Sequence, residues 1–74
     1  MPVETVSFVL DREFVKLDNL LKLTGVADSG GAGKQLVASG AVRVDGVVEL
    51  RKTCKIHAGQ SVRVGDVLIR VSGA

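Results

Sequence analysis

The stretch Asp28 to Leu36, "DSGGAGKQL", decides between two folds. Three glycines and a lysine resemble the loop with which nucleotide-hydrolysing proteins hold a triphosphate, whose pattern is G-x-x-x-x-G-K-[ST]. Gly33-Lys34 supplies the closing pair, but Asp28 stands where the first glycine belongs, and Gln35 stands where a hydroxyl should hold magnesium. A carboxylate at the first position repels the phosphate it would have to admit. The parallel sheet and crossover helices of such a fold also need more chain than 74 residues provide. The second reading is a helix over Ser29–Ser39, capped by Asp28 or Ser29 and followed by Gly40. Its first amides lack partners and sit at the positive end of the helix dipole, which favours anions. Gly30 and Gly31, lacking Cβ, either let a bulky partner approach that backbone or allow tight packing against a neighbouring helix.

Outward from this segment, the chain alternates between helical and strand periods. Upstream, "FVKLDNLLKLTG" places Phe14, Leu17, Leu20 and Leu21 at helical spacing, with Gly25 set to end the helix. Before it, "TVSFVL" alternates Val6, Phe8 and Leu10, which predicts a short first strand. Downstream, "VRVDGVVEL" is a hairpin signal, with Asp45-Gly46 suited to a type I′ turn. "VRVGDVLIRV" repeats the device around Gly65-Asp66, and between the two lies "RKTCKIHAGQS", where basic residues cluster and periodicity fades. The order strand, helix, helix, antiparallel strands predicts a small α+β domain spanning residues 1–74, with two short helices packed on a mainly antiparallel sheet.

Composition narrows the function classes. An apolar fraction of 46% and a charged fraction of 24% belong to an ordinary globular domain. No apolar run reaches the ~20 residues of a membrane span, and the opening residues carry no secretory pattern. A cytoplasmic, reducing setting and no membrane partner are therefore expected. The net charge of +2 is unevenly distributed: residues 1–33 hold three basic and five acidic groups, residues 34–74 seven and three. That asymmetry points to a positively charged face.

Together these residues carry a family resemblance. "LDNLLKLTGVADSGGAGKQLVASGAVRVDG" resembles the RNA-binding domain named after ribosomal small-subunit protein four, also called the alpha-L motif. The matching positions are Lys16, Leu17, Asp18 and Leu21, then Ser29, Lys34 and Gly40, then Val42, Val44 and the Asp45-Gly46 turn. The segment "ELRKTCKIHAGQSVRV" is similar to the stand-alone bacterial YbcJ-like group. The shared core covers about residues 14–64, with residues 65–72 as a C-terminal strand extension. Two positions depart from the pattern: Gly30 replaces an arginine that would contact phosphate, and Gln60 replaces an aspartate.

The resemblance implies structured RNA as partner, ribosomal RNA and the assembling ribosome among the candidates. Without Trp or Tyr, and with Phe8 and Phe14 expected in the core, stacking on unpaired bases is poorly served. Recognition by shape and phosphate backbone is left. The expected contacts are Lys16 and Lys34 framing the helical side, Arg43 on the first hairpin, and Arg51, Lys52 and Lys55 along the following loop. The alternative is a protein-interaction module that keeps the fold without the RNA surface. Cys54 and His57 form a C-x-x-H pair, yet zinc needs three or four protein ligands and the chain has no other cysteine or histidine. A half-buried thiol and a surface imidazole are expected instead. No cofactor, metal, small-molecule substrate or catalytic group is expected.

Overall fold

Seven strands and two helices arise over residues 3–74, the residues that the computed structural model describes. They run β1 (Glu4–Leu10), β2 (Val15–Lys16), α1 (Leu17–Leu23), α2 (Gly30–Ala38), β3 (Val42–Val44), β4 (Val47–Val48), β5 (Lys55–Ile56), β6 (Ser61–Val64) and β7 (Val67–Gly73). Five strands form one sheet in the order β1-β7-β6-β3-β4, and β2 and β5 form a separate two-stranded ribbon. All pairings are antiparallel except that of β1 with β7, which run parallel in the register Val6↔Ile69 and Phe8↔Val71. The whole intervening chain is the crossover that a parallel pair requires.

Alternation along the strands turns one face of the sheet inward. Val42, Val62, Ile69 and Val71 are buried there, and Leu17, Leu20, Leu21, Val37 and Ile56 complete the core from the helices and the ribbon. Phe8 packs on the edge of this cluster. Thus the expected α+β fold holds, with both helices and the ribbon layered on one side of a mainly antiparallel sheet.

The first helix starts later than its periodicity predicts. Phe14, Val15 and Lys16 precede it, and Val15 is a buried strand residue paired with Ile56. A β-branched residue buried in a ribbon outweighs three residues of matching helical phase. Phe14, expected in the core, is only half-buried and lies outside it. Both helices end as expected, with Gly25 and Gly40 in the left-handed region at φ +80° just beyond the last turn. Asp45 and Gly46 likewise take positive φ, 51° and 86°, in the turn joining β3 and β4.

The glycine-rich segment is α2 with Ser29 as its cap, the Ser29 Oγ accepting the Ala32 N–H at 3.1 Å. It is Gly33, not Gly30 or Gly31, that permits helix–helix contact. A Cβ on Gly33 would stand 2.8 Å from the backbone oxygen of Asp18, whereas Gly30 faces open space and Gly31 meets nothing nearer than 3.8 Å. Gly33 is buried in this crossing, so no phosphate could enter where a nucleotide-binding loop would hold one.

Candidate nucleic-acid interface

The segment from Glu49 to Lys55 is fastened to the start of α1 by backbone bonds. The N–H of Leu17 donates to the Cys54 carbonyl oxygen at 2.9 Å, and the N–H of Asp18 to that of Lys52 at 3.1 Å. Helices begin with unpartnered N–H groups, and here a loop rather than a capping side chain takes two of them. The arrangement fixes Lys52 and Lys55 relative to both helices, because α2 crosses α1 at the same residue, Asp18.

Lys34, Arg51, Lys52 and Lys55 line one hollow of about 790 Å³ on this side of the molecule. All four are exposed. Lys16 adjoins them, lying opposite Lys55 in the β2–β5 register. Like charges facing each other across a ladder oppose strand pairing. The Lys55 ammonium is held 4.9 Å above the Phe14 ring, whose other neighbour is the exposed His57 ring at 6.2 Å. Cation–π attraction offsets part of that repulsion. Phe14 therefore belongs to the border of the basic surface, a position concealed in the sequence by its helical phase relative to Leu17 and Leu21.

The four cations differ in how free they are. Arg51 donates through Nε and Nη2 to the two carboxylate oxygens of Glu49, each at 3.0 Å, while its own backbone N–H donates to the same carboxylate at 2.9 Å. These bonds hold the Glu49 carboxyl at a pKa of about 2, below its ordinary 4.5, with the guanidinium bond the chief cause. They also raise the Arg51 pKa. A two-pronged arginine–carboxylate pair is specific in geometry, and it neutralises Arg51 locally. Lys34 makes only a long contact, 4.0 Å, with Asp18 Oδ2, and is half exposed. Asp18 itself is buried, and its Oδ1 accepts no bond from the protein. Lys52 and Lys55 have no carboxylate within ion-pair distance among the described residues.

Arg43 lies elsewhere. It projects from β3 on the side of the sheet away from the helices and lines a different hollow, together with Arg63. The structure thus brings Lys16, Lys34, Arg51, Lys52 and Lys55 to one side of the molecule and sets Arg43 apart from them. Strand parity explains the separation: Val42 and Val44 turn toward the core, so Arg43 must turn away.

Cys54 is half-buried and His57 exposed, as the sequence predicts. The Cys54 thiol is pushed above its ordinary pKa, mainly by burial and then by its neighbour Glu49, which is the reverse of nucleophile activation. No group of three or more His, Cys, Asp or Glu residues able to hold a metal occurs among the described residues. No helix there is long and apolar enough to cross a membrane.

Comparison with known proteins converges on one family. The S4 domain model matches residues 8–72, a span that runs from the end of β1 through nearly all of β7. "Putative RNA-binding protein YbcJ" of Escherichia coli (strain K12) is 56% identical over 57 residues, 77% of this chain and 81% of its own length. "Uncharacterized protein YbcJ" of Shigella flexneri matches with the same identity and coverage. The solution structure of Escherichia coli YbcJ, described as revealing an alpha-L motif involved in RNA binding, superposes with a TM-score of 0.67 and 42% identity, covering 97% of this chain and 90% of that one. The family match over most of the chain and the identity to these relatives agree with the fold described above, and the chain belongs to the S4 domain family.

Proposed function

We propose that the chain is a non-catalytic module that binds structured RNA through its phosphate backbone and shape. The observation that carries this reading is the convergence of Lys34, Arg51, Lys52 and Lys55 on one hollow, with Lys16 beside it. Lys52, Lys55 and Lys34 supply the mobile positive charge. Arg51, clamped by Glu49, presents its remaining N–H groups in a fixed direction. The names of the Escherichia coli relative and of its solution structure support RNA as the partner. Ribosomal RNA, free or in an assembling subunit, is the first folded RNA to test, and the cytoplasm is where it would be met. The raised thiol pKa of Cys54 supports the absence of covalent chemistry.

The test is a salt titration of binding to folded ribosomal RNA fragments. About four neutralised phosphates predict a log–log slope of about −3 to −4. Lys52→Glu with Lys55→Glu is expected to abolish binding while leaving the thermal unfolding midpoint nearly unchanged. Binding that is indifferent to salt, or to this charge reversal, would refute the reading. A second reading, docking of a protein, is favoured by the exposed apolar strip Val47, Val48 and Leu50 at the open edge of the sheet. A partner retained after ribonuclease treatment, and lost on Val47→Ser with Leu50→Ser, would support it.

A further inference from the structure

The outer face of the sheet carries a second set of cations that the interface above does not use. Arg43, Arg63 and Arg70 project from β3, β6 and β7, three strands that pair in sequence across the sheet. Arg43 and Arg63 are directly opposed in the β3–β6 register. In the β6–β7 register Arg63 faces Leu68, two residues before Arg70, so the third guanidinium lies on the adjacent diagonal. Opposed residues stand about 5 Å apart at Cβ and diagonal ones about 7–8 Å, within the span of neighbouring phosphates along one nucleic-acid strand.

All three arginines are exposed, and none is ion-paired among the described residues. Arg63 donates through Nε to the Gly65 carbonyl oxygen at 3.1 Å, which orients its fork and leaves the terminal N–H groups available. The outward positions of β1, β3, β6 and β7 hold no carboxylate; beside the arginines they offer Thr5, Ser7, Ser61 and Ser72, with Val9 and Leu68 as the apolar members. Asp45, at the end of β3, already accepts from the Ser61 N–H at 2.9 Å. Arg43 and Arg63 line a hollow of about 520 Å³ together with Ala41, Gly46, Gly65 and Leu68. Directly opposed arginines cost strand-pairing stability. A protein that had no anion to meet there would do better with a threonine.

We propose that this face is a second RNA-backbone surface, so that one molecule holds two RNA segments on opposite sides of its sheet. The inference rests on the RNA reading of the helical side and extends it. The helices, the ribbon and the loop cover one side of the sheet, and the three arginines occupy the other, so a single segment running along the loop does not reach them. The domain is only 22 Å across its thinnest axis, which allows two helical segments to be brought side by side.

The experiment is a bridging assay. A short RNA duplex is immobilised, the protein is added, and capture of a second, fluorescent duplex of different sequence is measured alongside binding of one duplex in solution. The wild-type protein is expected to bind one duplex and to capture the second. R43Q/R63Q/R70Q is expected to bind one duplex still, to lose capture about tenfold, and to flatten the salt slope of the capture step by about 2 to 3. Should the triple variant unfold, R43Q/R70Q, which keeps the bonded Arg63, is expected to show the same loss at about two-thirds of the slope change. Capture by the sheet variants equal to wild type, or single-duplex binding by wild type without capture, overturns the second surface and leaves the RNA reading standing. Wild-type protein that binds no duplex or folded RNA overturns both.

Discussion

Gly33→Ala is the substitution on which the helix crossing can be tested most directly. In an exposed helix, replacing glycine by alanine gains about 1 kcal/mol. At Gly33 the new methyl would sit 2.8 Å from the Asp18 carbonyl oxygen, about 0.6 Å inside the 3.4 Å at which ordinary contact begins. The obstacle is backbone, and that backbone cannot yield alone, since the Asp18 N–H is bonded to Lys52 and the Leu17 N–H to Cys54. Overpacking of this kind costs about 1–3 kcal/mol, and the pinned carbonyl places it in the upper part of the range. After the propensity gain, a net loss of about 1–2 kcal/mol is expected, a fall in Tm of roughly 5–15 °C for a domain of this size. Gly31→Ala is the control: its methyl meets only Ser29 Oγ at 3.8 Å, so it is expected to stabilise by about 0.5 kcal/mol. Urea unfolding of both variants, with unchanged m, reads the difference. If Gly33→Ala is as stable as Gly31→Ala, the crossing is not set by this glycine and the reasoning is wrong.

The Glu49–Arg51 fork predicts that the Glu49 carboxyl titrates near 2, and that Arg51→Ala returns it toward 4.5; carboxyl chemical shifts followed against pH read both. Because the folded pKa is the lower one, the Glu49 carboxylate contributes stability above about pH 4.5 that fades as pH falls toward 2, and Arg51→Ala, which keeps the backbone N–H bond, is expected to reduce that acid sensitivity without abolishing it. Cys54 has the opposite sign: its folded pKa is raised above 9.0, so its contribution is present below that value and is lost as pH rises through the raised one. Thiol-reagent kinetics at neutral pH are expected to be slower than for a free cysteine, and Cys54→Ala to flatten the alkaline loss of stability. Lys16→Met removes one of the two lysines opposed in the β2–β5 ribbon and is expected to stabilise by about 0.2–1 kcal/mol while weakening RNA binding, as unfolding and RNA titration would show together. A variant that gains in both respects would show that Lys16 takes no part in the interface.

The parts of the fold legible in the sequence are those whose signals are local. Caps such as Ser29, the terminating Gly25 and Gly40, and the Asp45-Gly46 turn each answer a requirement of the few residues around them. The start of α1 was not legible, because Val15 takes its conformation from Ile56, some forty residues away, and helical phase is blind to such a partner. The same holds for the parallel placement of β1 against β7, which no adjacent turn announces. Within the site, clustering of Arg51, Lys52 and Lys55 follows from sequence neighbourhood, whereas Lys34 joins them only because Gly33 lets α2 cross α1 at Asp18.

Arg43 shows how near the sequence came to the second surface. Strand alternation already turns Arg43, Arg63 and Arg70 away from the core, each on its own strand. Only the register sets Arg43 against Arg63 and places Arg70 on the next diagonal, and register is a property of paired strands rather than of any one of them. Slipping β6 by one residue against both neighbours would turn Arg63 inward and Val62 outward, exchanging a cation of the outer face for a buried charge. Val62 is fully buried, so the packing that makes the core is what holds the arginines in line. The alignment of the three arginines is therefore set by the same register that buries the core, and a change that breaks one breaks the other.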